Sequence, residues 1–194
     1  MVLPIAHPDE FTVSSNLLLR TGFEIRCLSS SFAGNVANFE NQANKLISSV
    51  NQHDYGLLGD FKTIPPLVGL RPESCSWSVY MVIDHLRRHT DFLLGAMRAL
   101  VVDDELRAPM PTLRYFQPED VGSESVDQFQ DSVWQYVGFA NNLKDSGQQR
   151  QTTGTIAHPI YGRLDVKRLS VYGAQHLSLH RRQVQKIIAL IGVV

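Results

Sequence analysis

Of the seven histidines in the chain, three have the spacing of a metal site. His176 and His180 lie four residues apart, so on a helix their imidazoles share one face, about 6 Å from each other. Both rings can then reach one divalent ion through bonds of about 2.0–2.1 Å. Taken alone, such a pair also fits one surface histidine and one hydrogen-bonded core histidine. His85 supplies a third imidazole from a separate stretch of the chain. Three neutral imidazoles leave an ion its full charge and leave coordination positions open, an arrangement that leans catalytic rather than structural. Such an ion either acidifies a bound water for hydrolysis or holds a thiol as its thiolate. The zinc-protease pattern H-E-x-x-H is absent, because Leu177 stands where the glutamate base belongs.

Other residues stand close to these three in the sequence. His89, one helical turn after His85, is a fourth ligand, a residue that supports the ligands, or a core histidine. Tyr172, one turn before His176, either contacts a ligand or fills the core with its hydroxyl at the rim. His158 precedes a proline and either closes over the site or braces the last helix. Asp84 is expected at solvent, because adjacent helical residues point about 100° apart. The doublets Arg87-Arg88 and Arg181-Arg182 read either as solvated faces with ion pairs or as guides for an anionic substrate. No G-x-S-x-G elbow, phosphate loop or dinucleotide fingerprint occurs.

Ser76-Trp77-Ser78 followed by Asp84-His85-Leu86 resembles the signature that opens the second helix of the DinB/YfiT-like metalloenzyme superfamily. The run His158-Pro159-Ile160-Tyr161-Gly162-Arg163-Leu164, with His176 and His180 behind it, resembles the H-P-x-aromatic-G … H-x-x-x-H tail of a DinB-like subgroup. The resemblance spans about residues 30–190 and is strongest over 74–93 and 156–187. It departs from the subgroup at Asp165, which stands where a threonine is usual and can serve equally as a helix cap. The resemblance implies an all-α, four-helix bundle in which His85, His176 and His180 hold one divalent metal ion. Zinc or nickel suits three imidazoles, and iron is also accepted. The resemblance further implies a small-molecule substrate, a thiol in the transferases of this fold, and a homodimer. Metal-dependent hydrolysis or thiol transfer is the expected function, with a non-catalytic metal-binding or scaffold module as the alternative.

Four stretches carry the 3.6-residue period needed to position these side chains. The first runs from Phe32 to Val50, with apolar residues at Phe32, Val36, Phe39, Ala43, Leu46 and Val50. The second, from Val79 to Val101 behind the cap Ser78, places Met81, Val82, His85, Leu86, His89, Phe92, Leu93, Ala96 and Leu100 on its inner stripe. The third runs from Val126 to Leu143, with Ser125 and Gln128 as a capping box and Gly147 past its end. The fourth, from the cap Asp165 to Leu190, turns Leu169, Tyr172, His176, His180, Gln183, Ile187 and Leu190 inward. Long connections at 51–77 and 102–124 predict decorated loops. Residues 1–30 form an N-terminal extension in which Phe23, Ile25 and Cys27 alternate like a strand while Leu17-Leu18-Leu19 fit a helix.

Composition bounds the function classes. With 43% hydrophobic and 19% charged residues, 194 residues suit one core-forming domain over 1–194, the bundle occupying 31–191. Lys+Arg 18 against Asp+Glu 19 disfavours a nucleic-acid binder. Cys27 and Cys75 cannot build a disulfide framework and read as buried small hydrophobes of a reducing compartment. No apolar run approaches the ~20 residues of a membrane span, so the chain is expected in the cytoplasm. The apolar end, Ile187 to Val194, calls for cover by the N-terminal segment or a second subunit.

Overall fold

The computed structural model describes residues 13–192 apart from 104 and 120. Among these, the elements in order are α1 (Val13–Ser29), α2 (Phe32–Val50), α3 (Tyr55–Leu58), α4 (Val79–Val102), β1 (Arg107–Pro109), α5 (Leu113–Phe116), α6 (Glu124–Ser146), β2 (Thr155–His158), β3 (Gly162–Leu164) and α7 (Val166–Ile191). Single 3-10 turns occupy Pro72–Ser76 and Gln148–Arg150. The protein is mostly helical, and no described helix is long and apolar enough to cross a membrane.

Side-chain oxygens start three of the long helices. Ser31, Ser78 and Asp165 sit in extended backbone and accept the Gly34, Met81 and Arg168 N–H groups, satisfying donors that a first turn leaves open. The predicted capping box of α6 does not form. The helix begins two residues earlier, at Glu124, and the Ser125 hydroxyl donates back to the Gly122 carbonyl while the Glu124 carboxylate accepts the Gly122 N–H. Gly147 ends α6 in the left-handed region at φ 73°, where a residue without Cβ is unstrained.

α2 and α4 each pack against both α6 and α7. The predicted stripe of α2 is buried throughout. That of α4 is buried at Val82, Leu86, His89, Leu93, Ala96 and Leu100, and that of α7 at Leu169, Tyr172, His180, Gln183 and Ile187. Met81 and Phe92 lie only half inside. Leu190, expected inside, is 44% exposed, whereas Ile187 and Ile191 point into the core. Within its own chain α7 thus buries Ile187 and Ile191 and leaves Ala189 and Leu190 exposed. Val193 and Val194 lie outside the described residues.

In residues 13–29 the helical alternative holds. Phe23 and Cys27, four apart, face inward, whereas Ile25 and Leu28 are 61% and 86% exposed. The apparent alternation was one face of a helix seen every fourth residue. α1 lies along α7: Phe23 stacks on Tyr161 with centroids 4.5 Å apart, Glu24 pairs with Arg168, and the Cys27 carbonyl accepts from Lys167 at 2.8 Å. Residues 1–12 of the N-terminal extension lie outside the described set.

The connections also hold a sheet that the sequence reading did not anticipate. β1 pairs parallel to β2 and β2 antiparallel to β3, in the order β1-β2-β3. Strands of three or four residues are too short to show a period of two. The β2–β3 turn closes on Gly162 at φ 73° and presents His158 at its start.

Gly173 decides how closely α7 approaches its neighbours. A Cβ there would stand 2.6 Å from Leu93 Cδ1 on α4 and 3.6 Å from the Phe39 ring on α2. Leu93 and Phe39 are both buried and have little room to withdraw. Gly173→Ala is expected to destabilise the protein by about 1–3 kcal/mol through overpacking, read as a lowered melting temperature. An unchanged melt contradicts this packing.

Candidate metal centre

α4 and α7 bring their histidines together face to face. One ligand nitrogen from each of His85, His176 and His180 lies within 4.8 Å of the other two. His85 Nε2 and His176 Nε2 are already 3.2 Å apart. A tetrahedral ion with bonds of about 2.1 Å holds its ligands roughly 3.4 Å apart, so side-chain rotation of about an ångström suffices to close the set. All three rings are buried or half-buried. The three histidines expected to converge from two separate helices do so.

Hydrogen bonds fix which nitrogen of two rings is free. His85 Nδ1 lies 2.7 Å from the Phe116 carbonyl oxygen, which can only accept, so Nδ1 carries the hydrogen and Nε2 keeps its lone pair. His180 Nδ1 lies 2.6 Å from Gln183 Oε1, and Gln183 Nε2 donates at 2.6 Å to the Ser74 carbonyl. The Ser74 acceptor sets the orientation of the Gln183 amide, so His180 Nδ1 must donate and its Nε2 is likewise free. Such outer partners are what metal-binding imidazoles need in order to hold tautomer and direction. The donor set therefore fits a divalent ion.

Burial also keeps the rings in the form that binds metal. Desolvation lowers the pKa of His85 from its ordinary value to about 4. His176 and His180 are pushed well below the ordinary value by burial first, and then by neighbouring histidines. At neutral pH each is an uncharged imidazole with a usable lone pair.

The remaining candidates surround this group without joining it. His89 lies outside the 4.8 Å cluster; its ring stacks on Phe116 at 3.8 Å, and its Nδ1 meets the Tyr172 hydroxyl at 3.3 Å. Of its three readings, a residue that supports the ligands describes it best, since Phe116 also holds His85. Tyr172 is buried, with its ring 5.5 Å from that of His176. His158 lies beside Tyr172, ring centroids 5.0 Å apart.

One expectation is overturned. Asp84 is 1% exposed, not at solvent, because Arg87 and Arg88 at i+3 and i+4 close on its carboxylate at 2.7 and 2.8 Å. These two arginines thus follow the ion-pair reading, with Asp91 as a further partner of Arg87 at 3.1 Å. Cys27 and Cys75 are free and buried, as expected.

Beside the histidines opens a cavity of about 840 Å³, lined on its apolar side by Leu18, Phe23, Leu70 and Tyr161. That volume lies in the range of small-molecule sites. The sequence reading missed Phe116 and Ser74, since a backbone carbonyl leaves no mark in residue type. Gln183 was legible: an amide on an apolar stripe three residues after a histidine requires a buried partner. The chain matches no protein-family model and no curated protein sequence. The DinB-like resemblance accordingly rests on its motif residues.

The buried rings set a pH dependence. On unfolding, each returns to a pKa of about 6.5 and takes up protons that the folded state refuses. Stability from keeping them neutral is fully present above about pH 6.5 and is lost progressively as pH falls toward 4. The melting temperature of metal-free protein is expected to be level above pH 7 and to drop steeply between 6.5 and 4. A melt independent of pH across that window contradicts buried, neutral histidines.

Proposed function

We propose that the chain is a DinB-like, four-helix-bundle metalloenzyme that transfers or hydrolyses a bond of a small molecule, with His85, His176 and His180 as ligands of one divalent ion. The observation that carries this reading is the convergence of three imidazoles from two helices, two of them with Nδ1 committed to outer acceptors and Nε2 left free. The bundle is supported by four long helices, each packed against two of the others. Zinc or nickel suits three neutral nitrogen donors, and iron is also compatible.

The bound ion would supply Lewis acidity, stabilising a thiolate for thiol transfer or polarising a bond for hydrolysis. Thiol transfer is the better fit, because Arg26, Arg71 and Arg182 are among the described residues that line the cavity and no Asp or Glu is, a balance that favours an anionic sulfur over its thiol. Phe116 and Gln183 hold two ligand rings in place. Tyr172 and His89 share a hydrogen bond at the cavity wall, which holds the phenol in place beside the centre. Leu18, Phe23 and Leu70 exclude water from the apolar part of the substrate.

Purified chain is expected to bind about one zinc or nickel ion by calorimetry. His85→Ala and His180→Ala each weaken that binding by at least 100-fold, and wild-type affinity in either would remove the site. Gln183→Leu, which leaves all three ligands in place, is expected to weaken it by about 10–100-fold through loss of the His180 tether. With the metal loaded, a panel of thiols and electrophiles separates transfer from hydrolysis by the product formed.

A further inference from the structure

His158 is held differently from the metal-site histidines. Its Nδ1 accepts two backbone N–H groups, those of Ile160 at 3.0 Å and Tyr161 at 3.2 Å. A nitrogen receiving two hydrogens carries none itself, so the neutral ring bears its hydrogen on Nε2. Burial lowers its pKa to about 3, so the ring stays neutral across the physiological range. The ring is braced by Tyr161 and Tyr172, at centroid distances of 4.6 and 5.0 Å, and Tyr161 is in turn backed by Phe23. His158 lines the cavity, and its Nε2 meets no partner among the described residues. The result is a fixed, uncharged N–H donor with one open bond.

The remainder of the wall indicates what takes that bond. Arg26, Arg71 and Arg182 are among the described residues that line the cavity, and no Asp or Glu is. Arg71 is engaged with Glu73 at 3.0 Å, whereas Arg26 and Arg182 have no ion-pair partner among the described residues. The Tyr172 ring lies 5.0 Å from that of His158 and 5.5 Å from that of His176, so the two histidine rings are at most about 10.5 Å apart, a gap that a short linear molecule with its bonds to both ends can bridge.

We propose that the cavity takes a small organic anion whose carboxylate receives the Nε2 hydrogen of His158 while its other end meets His85, His176 and His180. The proposal deepens the metal-site reading and rests on it. His158 is here a specificity-determining residue: it selects an acceptor oxygen at a set distance from the centre. A neutral imidazole donates as a preorganised dipole and adds no charge of its own.

The test is calorimetric titration of the zinc-loaded full chain with 3-mercaptopropionate and with 3-mercaptopropionamide, two thiols of nearly equal shape that differ in charge. Wild type is expected to bind the carboxylate at least tenfold more tightly. His158→Phe, which keeps ring bulk and removes the donor, is expected to reduce that preference to threefold or less while zinc content and amide binding persist. His158→Asn serves as the control for folding: its oxygen can still accept the turn N–H groups, but its side chain is too short to reach the ligand, so the same loss is expected. Equal affinity of wild type for the two thiols, or a tenfold preference that survives both substitutions, overturns the proposal and leaves zinc binding as evidence for the metal centre. Failure of wild type to take up zinc overturns both.

Discussion

Several imidazole rings are desolvated at one place between α4 and α7, and each must be kept neutral there without losing its hydrogen bonds. Burying a charged imidazole in such surroundings is prohibitive, and burying a neutral one with an orphaned N–H is costly. The structure meets both demands by giving one nitrogen of most of these rings a partner. Phe116 and Gln183 take the Nδ1 hydrogens of His85 and His180, Tyr172 partners His89, and two turn amides occupy Nδ1 of His158. What remains open is a set of nitrogens directed at one another and at the cavity.

The acceptors that orient these rings come from places regular helices cannot supply. Inside a helix each carbonyl is already bonded to the amide four residues on, so free acceptors occur at ends and in irregular stretches. Phe116 is the last residue of the single-turn helix α5, and Ser74 belongs to the 3-10 turn ahead of α4. His158 stands where β2 runs into its turn. The long connections and the small sheet therefore act as the scaffold that carries orienting groups to the centre. The apolar faces of the long helices supply the framework on which that scaffold rests.

Close packing and chemistry are coupled at α7. Gly173 admits Leu93 and Phe39, which draws the helix onto α4 and α2 and sets the separation across which His85 faces His176. One turn later the same helix carries His180 and then Gln183, so the ligand and the residue that orients it share one rigid element. α1 also packs on α7, and its Phe23 seats against Tyr161 and so supports the His158 turn.

The sequence alone determined which stretches become the long helices and which faces they bury, because spacings of three and four along twenty residues have one geometrical reading. The stripe of α2 and the caps Ser78 and Asp165 follow from local rules, and so does the pairing of His176 with His180 on one helical face. Local rules misjudged Asp84, whose burial depends on two arginines folding back upon it, and they misplaced the start of α6. They could not reveal three-residue strands, whose pairing joins segments nearly fifty residues apart. Only the tertiary structure decided that His85 meets His176, that His89 stays outside the cluster, and which nitrogen of His85 and of His180 is free. Those outcomes depend on distances between elements and on backbone carbonyls, and neither is encoded in the identity or spacing of side chains.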